Sequence, residues 1–95
     1  MKVDIKLSDR EGKKMMAIFY DGDKRIKTTH FGQKGASDFT IHKDDERKKL
    51  YLDRHRKNES WNDYMSAGSL AKHILWSKPT ISASIADYKK KFNLN

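Results

Sequence analysis

Arg47, Lys48, Lys49, Arg54, Arg56 and Lys57 form the densest set of cations in the chain, and cations at such density are suited to neutralising phosphates. Helical spacing spreads them over more than one face and Glu46 and Asp53 interrupt them, so part of this charge is expected to pair locally. A second basic stretch, Lys24, Arg25 and Lys27, precedes a glycine-framed segment, Gly32-Gln33-Lys34-Gly35, followed by Ser37. Glycines permit backbone conformations costly to other residues, and backbone N–H groups beside an ammonium can hold a phosphate. The segment lacks the Gly-Lys-Ser/Thr ending of a nucleotide-hydrolysing P-loop and does not match the dinucleotide-binding glycine pattern. It reads as a tight surface turn with backbone–phosphate contact open to it.

The other chemistry-bearing residues form no catalytic motif. His30, His42, His55 and His73 fall in separate predicted elements, none paired with another at i, i+4. With Asp38, Asp44 or Asp45 they have the residue types of a ββα-type nuclease site, but no spacing demands one. Ser37-Asp38 near His42 has the composition of a triad, yet a chain this small leaves little room for the pocket a triad needs. The simpler expectation is structural. His30 and His55 are then half-buried hydrogen-bonding groups, His42 helps to cap a helix opening at Asp44, and Asp38 and Thr40 make local turn bonds. Trp61 and Trp76 have the size to fill a small core, Trp61 having base stacking as its alternative. No catalytic residue, metal ligand or cofactor is expected.

The whole composition agrees with a binding role. Twenty-one Lys and Arg against thirteen Asp and Glu give a net charge of +8 over 95 residues, with a pI near 9.7 and a mean hydropathy of −0.97. Such a surplus favours a polyanion partner. Residues 1–43 carry ten basic and six acidic side chains and residues 44–95 eleven and seven, so neither part is a detachable basic tail. An anion-binding face must be assembled by folding. With no cysteine there is no disulfide or thiolate site. No apolar run reaches the roughly 20 residues that span a bilayer, and Met1-Lys2-Val3-Asp4 does not open a signal peptide, so a soluble intracellular protein with no membrane association is expected.

The elements that must position these residues are legible from periodicity. Val3, Ile5 and Leu7 alternate with polar neighbours over Lys2–Leu7, a half-buried strand. Asp9-Arg10-Glu11-Gly12 is a turn, Lys14–Tyr20 a second strand, Asp21-Gly22-Asp23 another turn, and Arg25–Phe31 a third strand. After Phe39-Thr40-Ile41-His42 the pattern becomes helical: Asp44, Asp45 and Glu46 suit a first turn and Arg54, Arg56 and Lys57 the last. Lys48, Tyr51, Leu52 and His55 share one face of that helix. A polar connector bearing Trp61 and Tyr64 leads to Ser66, which is placed to cap a helix carrying Leu70, Ala71, Ile74 and Leu75 and ended by Lys78-Pro79. Thr80 caps a last helix that turns Ile81, Ile85, Tyr88 and Phe92 inward, with Lys89-Lys90-Lys91 on its solvated side. The expectation is a single α+β domain over residues 1–95, a three-stranded antiparallel sheet followed by three helices, with Val3, Ile5, Ile18, Leu52, Leu70, Ile74, Ile85, Tyr88 and Phe92 in one core.

The string Phe31-Gly32 through Ser37-Asp38-Phe39-Thr40, His42-Lys43-Asp44, Tyr51 to Arg54-His55, Glu59 to Trp61, Gly68-Ser69-Leu70 and Ile74 through Pro79 resembles a family of small basic proteins of uncharacterised function from large DNA viruses of algae and protists and from phage-like environmental genomes. The likeness covers about two-thirds of the chain, with Phe39 where the family pattern has Tyr. It implies a viral origin, a setting in the host-cell cytoplasm or the virion, and traffic with a DNA genome. It carries no established activity.

The sequence thus points to a nucleic-acid-binding protein that contacts the phosphate backbone, DNA before RNA, with little sequence specificity. Lys24, Arg25, Lys27, Lys34, Arg47, Lys48, Arg54, Arg56 and Lys57 are expected to form its surface, since strand, loop and helix can adjoin. The alternatives are a virion structural or protein-interaction component and, behind it, a small metal-dependent nuclease.

Overall fold

In a computed structural model that describes residues 1–57 and 61–95, strands β1 (Lys2–Leu7), β2 (Lys13–Asp21) and β3 (Lys24–Gln33) form an antiparallel meander in the order β1-β2-β3. Helices α1 (Phe39–His42) and α2 (Asp45–His55) follow. Then come α3 (Ala67–Leu70), which runs into a π-helical turn over Ala71–Leu75, and α4 (Ile81–Lys91). The fold is mixed α+β, sheet first and helices after. Residues 58–60, which belong to the expected polar connector, lie outside the described residues.

Local chemistry sets most boundaries. Asp44, Ser66 and Thr80 each accept a backbone N–H from the first turn of the helix they precede, satisfying donors that have no partner inside the helix. At the other end of α4, Asn93 adopts φ 56. Leu94 N–H donates to the Lys89 carbonyl and Asn93 N–H to that of Lys90, a Schellman closure that turns Leu94 inward. Asn95 then exchanges two backbone hydrogen bonds with the outer edge of β1, accepting from Val3 N–H and donating to Met1 O.

One face of the sheet carries the core. Val3, Met15, Ala17, Phe19 and Phe31 pack with Leu70, Ile74, Leu75, Tyr88 and Leu94, while Ile5, Ile81, Ile85 and Phe92 lean against them half-buried. The π-helical turn widens the helix enough for His73, Ile74 and Leu75 to be buried in succession. Tyr88 is fully buried, and its hydroxyl donates to the Tyr64 carbonyl. Burial foremost, with Tyr64 and Asp63 adding, pushes its ionisation above the ordinary tyrosine range.

Four expectations need correction. Short α1 is an additional helix, because Asp38 caps a turn that periodicity is too short to reveal. The third strand runs on through Gly32 and Gln33, and its strict alternation breaks where Phe19 pairs Lys27 and Tyr20 pairs Arg25, bulging Ile26 out to 42% exposure. Ile18 is buried but stands outside the core cluster, because period-two alternation puts it with Met16 on the opposite face from Ala17 and Phe19. Leu52 is only half-buried on a helix that buries none of its residues.

Removing residues 80–95 takes away Tyr88, Leu94 and the half-buried side of α4, and cooperative thermal melting is expected to vanish. The milder Tyr88→Phe, which leaves the Tyr64 carbonyl without its donor, should lower unfolding stability by about 1–3 kcal/mol in denaturant titrations.

Candidate nucleic-acid interface

The joint between sheet and helices is a buried ion pair. Lys14 on β2 donates to Asp38 Oδ2 at 2.5 Å and to the Ala36 carbonyl at 2.6 Å; the two side chains are 18% and 2% exposed. Asp38 Oδ1 accepts both the backbone N–H and the hydroxyl of Thr40, and the Asp38 carbonyl accepts from Ile41 and His42. One carboxylate therefore fastens the glycine segment to the strand and starts α1. Gly32 makes the close approach possible. Its φ is +76, and a Cβ there would lie 2.8 Å from Leu75 Cδ1 and 3.1 Å from Lys14 Cβ, so any larger residue would be both strained and crowded.

The next turn is set by His42, whose Nδ1 accepts the Asp44 backbone N–H at 2.9 Å, while Asp44 itself accepts from Glu46 and Arg47. The structural roles expected for Asp38, Thr40 and His42 are the ones seen. His30 likewise bonds through Nδ1 to the Ser8 hydroxyl at 2.7 Å. α2 is held to the body by Tyr51, stacked at 4.2 Å on Trp76 with His55 stacked at 4.2 Å on Tyr51. Lys48 helps, donating to the Ser77 carbonyl at 2.7 Å with its ammonium 4.8 Å from the Phe39 ring centre.

Between α2 and the glycine segment lies a cavity of about 280 Å³. Lys14, Gly32, Gln33, Ser37 and Asp38 bound one side and Tyr51, His55, Leu75 and Trp76 the other. The loop carrying Lys34 thus adjoins the helix carrying Arg47 and Arg54, with Arg56 capping its end and Lys57 in the turn that follows. Lys24, Arg25 and Lys27 do not join them. They occupy the far end of β3, and at about 3.3 Å per strand residue Lys27 sits roughly 20 Å from Lys34. Of the α2 cations, Lys48 is committed to Ser77, and Arg56 forms an exposed pair with Asp53 at 3.5 Å.

Tertiary packing adds two cations to this side. Lys72, in the π-helical turn, lies 4.2 Å from the centre of the Trp61 ring. Its ammonium is held below the ordinary lysine value by burial first, then by Lys91, Arg56 and Lys48. Cations from α2, the π-helical turn and the end of α4 therefore share one electrostatic neighbourhood. The Lys89-Lys90-Lys91 run was a visible signal, but reads equally well as a solvated face. Lys72 gave none, because it sits in an apolar helical stretch.

Beneath this surface His73 is buried among Tyr88 and Phe92, its Nε2 without a hydrogen-bond partner. Burial, then the Lys72 and Lys91 charges, lower its pKa to about 4, against smaller opposing effects of the Trp61 backbone and Asp87. Among the described residues no three His, Asp or Glu side chains converge to hold a metal. No helix there is long and apolar enough to cross a membrane.

Fold and surface define a small basic α+β protein with a cation-rich side beside an aromatic-walled cavity. Residues 3–55 match a family of unknown function (DUF5754), and the chain belongs to that family. No curated protein and no solved structure matches it.

Asp38→Ala strands the Lys14 ammonium and removes the α1 cap, so a loss of about 3–5 kcal/mol in denaturant unfolding is expected. His73 gives a pH dependence of defined sign. A folded-state pKa depressed from 6.5 to about 4 means that the unfolded chain binds the proton more readily, so stability falls as pH drops from about 6.5 through 4, by at most about 3 kcal/mol. In His73→Leu, melting temperatures measured between pH 7 and pH 5 should change less than in the native protein.

Proposed function

We propose that this protein binds nucleic acid through the phosphate backbone, DNA in preference to RNA, with little sequence specificity and without catalysis. The resemblance noted above supports a viral protein acting in the host-cell cytoplasm or the virion, soluble there and in contact with other virion proteins. What supports the reading most is that Lys91, Arg56 and Lys48 all act on Lys72 and, after burial, hold its ammonium below the ordinary lysine value, a repulsion that a polyanion relieves. Lys34, Arg47, Arg54 and Lys57 extend the same surface, while Lys24, Arg25 and Lys27 form a separate basic patch.

A protein-interaction role in the virion is the second reading, favoured by Ile41 and Leu50, which are 61% and 55% exposed on α1 and α2. Salt titrations separate the two. If about five cations each neutralise one duplex phosphate, log K should fall against log salt with a slope of about −4.5. Lys72→Ala or Arg54→Ala should make it shallower by about one unit, whereas Lys24→Ala should leave it unchanged. Absence of binding to DNA and RNA at low salt would put the protein-interaction role first. Magnesium-dependent cleavage lost on changing His42 or Asp44 would point instead to a nuclease.

A further inference from the structure

We infer that the cavity between the glycine segment and α2 receives one unpaired nucleobase, so that the preferred ligand is a single strand rather than a duplex. The inference rests on the phosphate-binding reading and adds to it what lies between the phosphates. The charges of Lys14 and Asp38 cancel across 2.5 Å inside the cavity wall, so the recess is close to neutral although its surroundings are cationic. A phosphate therefore gains more outside, at Lys34 and the α2 cations, than within. An uncharged heterocycle suits the inside.

The wall supplies what such a ring needs. Trp76 and Leu75 offer aromatic and apolar contact, Tyr51 adds its ring edge because Trp76 and His55 take its two faces, and this stack fixes the wall before any ligand arrives. Lys14 has three ammonium protons, of which Asp38 and the Ala36 carbonyl take two, leaving one for a ring nitrogen or exocyclic oxygen. The exposed Gln33 side chain offers both a donor and an acceptor at the rim. About 280 Å³ accommodates one base and excludes a base pair still joined to its duplex. A strand laid along this side would place a base in the cavity while its flanking phosphates approach Lys34, next to Gln33 of the glycine wall, and Arg54, next to His55 of the α2 wall.

The test uses the full chain and three labelled ligands of equal length at one low salt concentration: a natural single strand, the same strand without bases, and the duplex. The natural strand should bind roughly tenfold more tightly than the abasic one, the range that base contact with aromatic side chains supplies. Ser37→Trp fills the cavity from an exposed position and should erase that difference while leaving duplex affinity and melting temperature unchanged. Ala36→Phe provides a second filling variant should the first fail to fold. A deoxynucleoside monophosphate should quench tryptophan fluorescence saturably but weakly. Equal affinity for natural and abasic strands overturns the inference and leaves the phosphate-binding function standing; tighter binding of the free nucleotide than of the strand overturns it in favour of a mononucleotide site. Failure of all three polymers to bind overturns the proposed function and this inference with it.

Discussion

The Lys14–Asp38 pair is the interaction on which the arrangement of the chain depends. Two charges taken out of water must find each other and satisfy their remaining hydrogen-bonding capacity locally. Here Asp38 does so with Thr40 and the start of α1, and Lys14 with the Ala36 carbonyl. The pair thereby fixes the path of the chain as it leaves β3, and so where α2 begins. Because α2 buries no residue of its own, hydrophobic packing alone does little to position it. Its place comes from this anchored start, the Asp44 cap, the Lys48 bond to Ser77 and the Tyr51–Trp76 stack.

The same economy explains where charge accumulates. A core built from one sheet face, the π-helical turn and α4 brings the ends of separate helices together, and the polar residues at those ends come with them. Lys91, Arg56 and Lys48 come within electrostatic reach of Lys72 for this reason. His73 directly below bears the consequence as a buried imidazole that stays neutral at ordinary pH. Repulsion above and desolvation below are costs that the apolar cluster around Tyr88 offsets.

The family match covers residues 3–55, which comprise most of the sheet, the glycine segment, α1 and α2. Most of the cavity wall and the cations Arg47, Lys48 and Arg54 lie in that stretch, whereas Arg56, Lys57 and the residues that cover the sheet, Leu70, Ile74, Leu75, Tyr88 and Leu94, lie beyond it. The matched segment carries most of the candidate binding surface, and the remainder supplies the packing that keeps it in shape, together with Arg56, Lys57, Lys72, Trp76 and Lys91.

What the sequence determined by itself was local. The alternation of Val3, Ile5 and Leu7, the Asp21-Gly22 turn, and the caps Asp44, Ser66 and Thr80 act over a few residues, so their spacing is enough to place β1, the meander and three helices. The helix count fell short at α1 because four residues hold too little periodicity to register. Ile18 and Leu52 were misplaced because an apolar residue does not announce which partner will cover it. Only the tertiary structure decided the site. Lys14 and Asp38 are 24 residues apart, Lys72 and Lys91 belong to different helical segments, and the bulge at Ile26 arises from strand pairing. Charges distant along the chain acquire a common surface only when buried side chains between them fix the distance, and that distance is a property of the packed core.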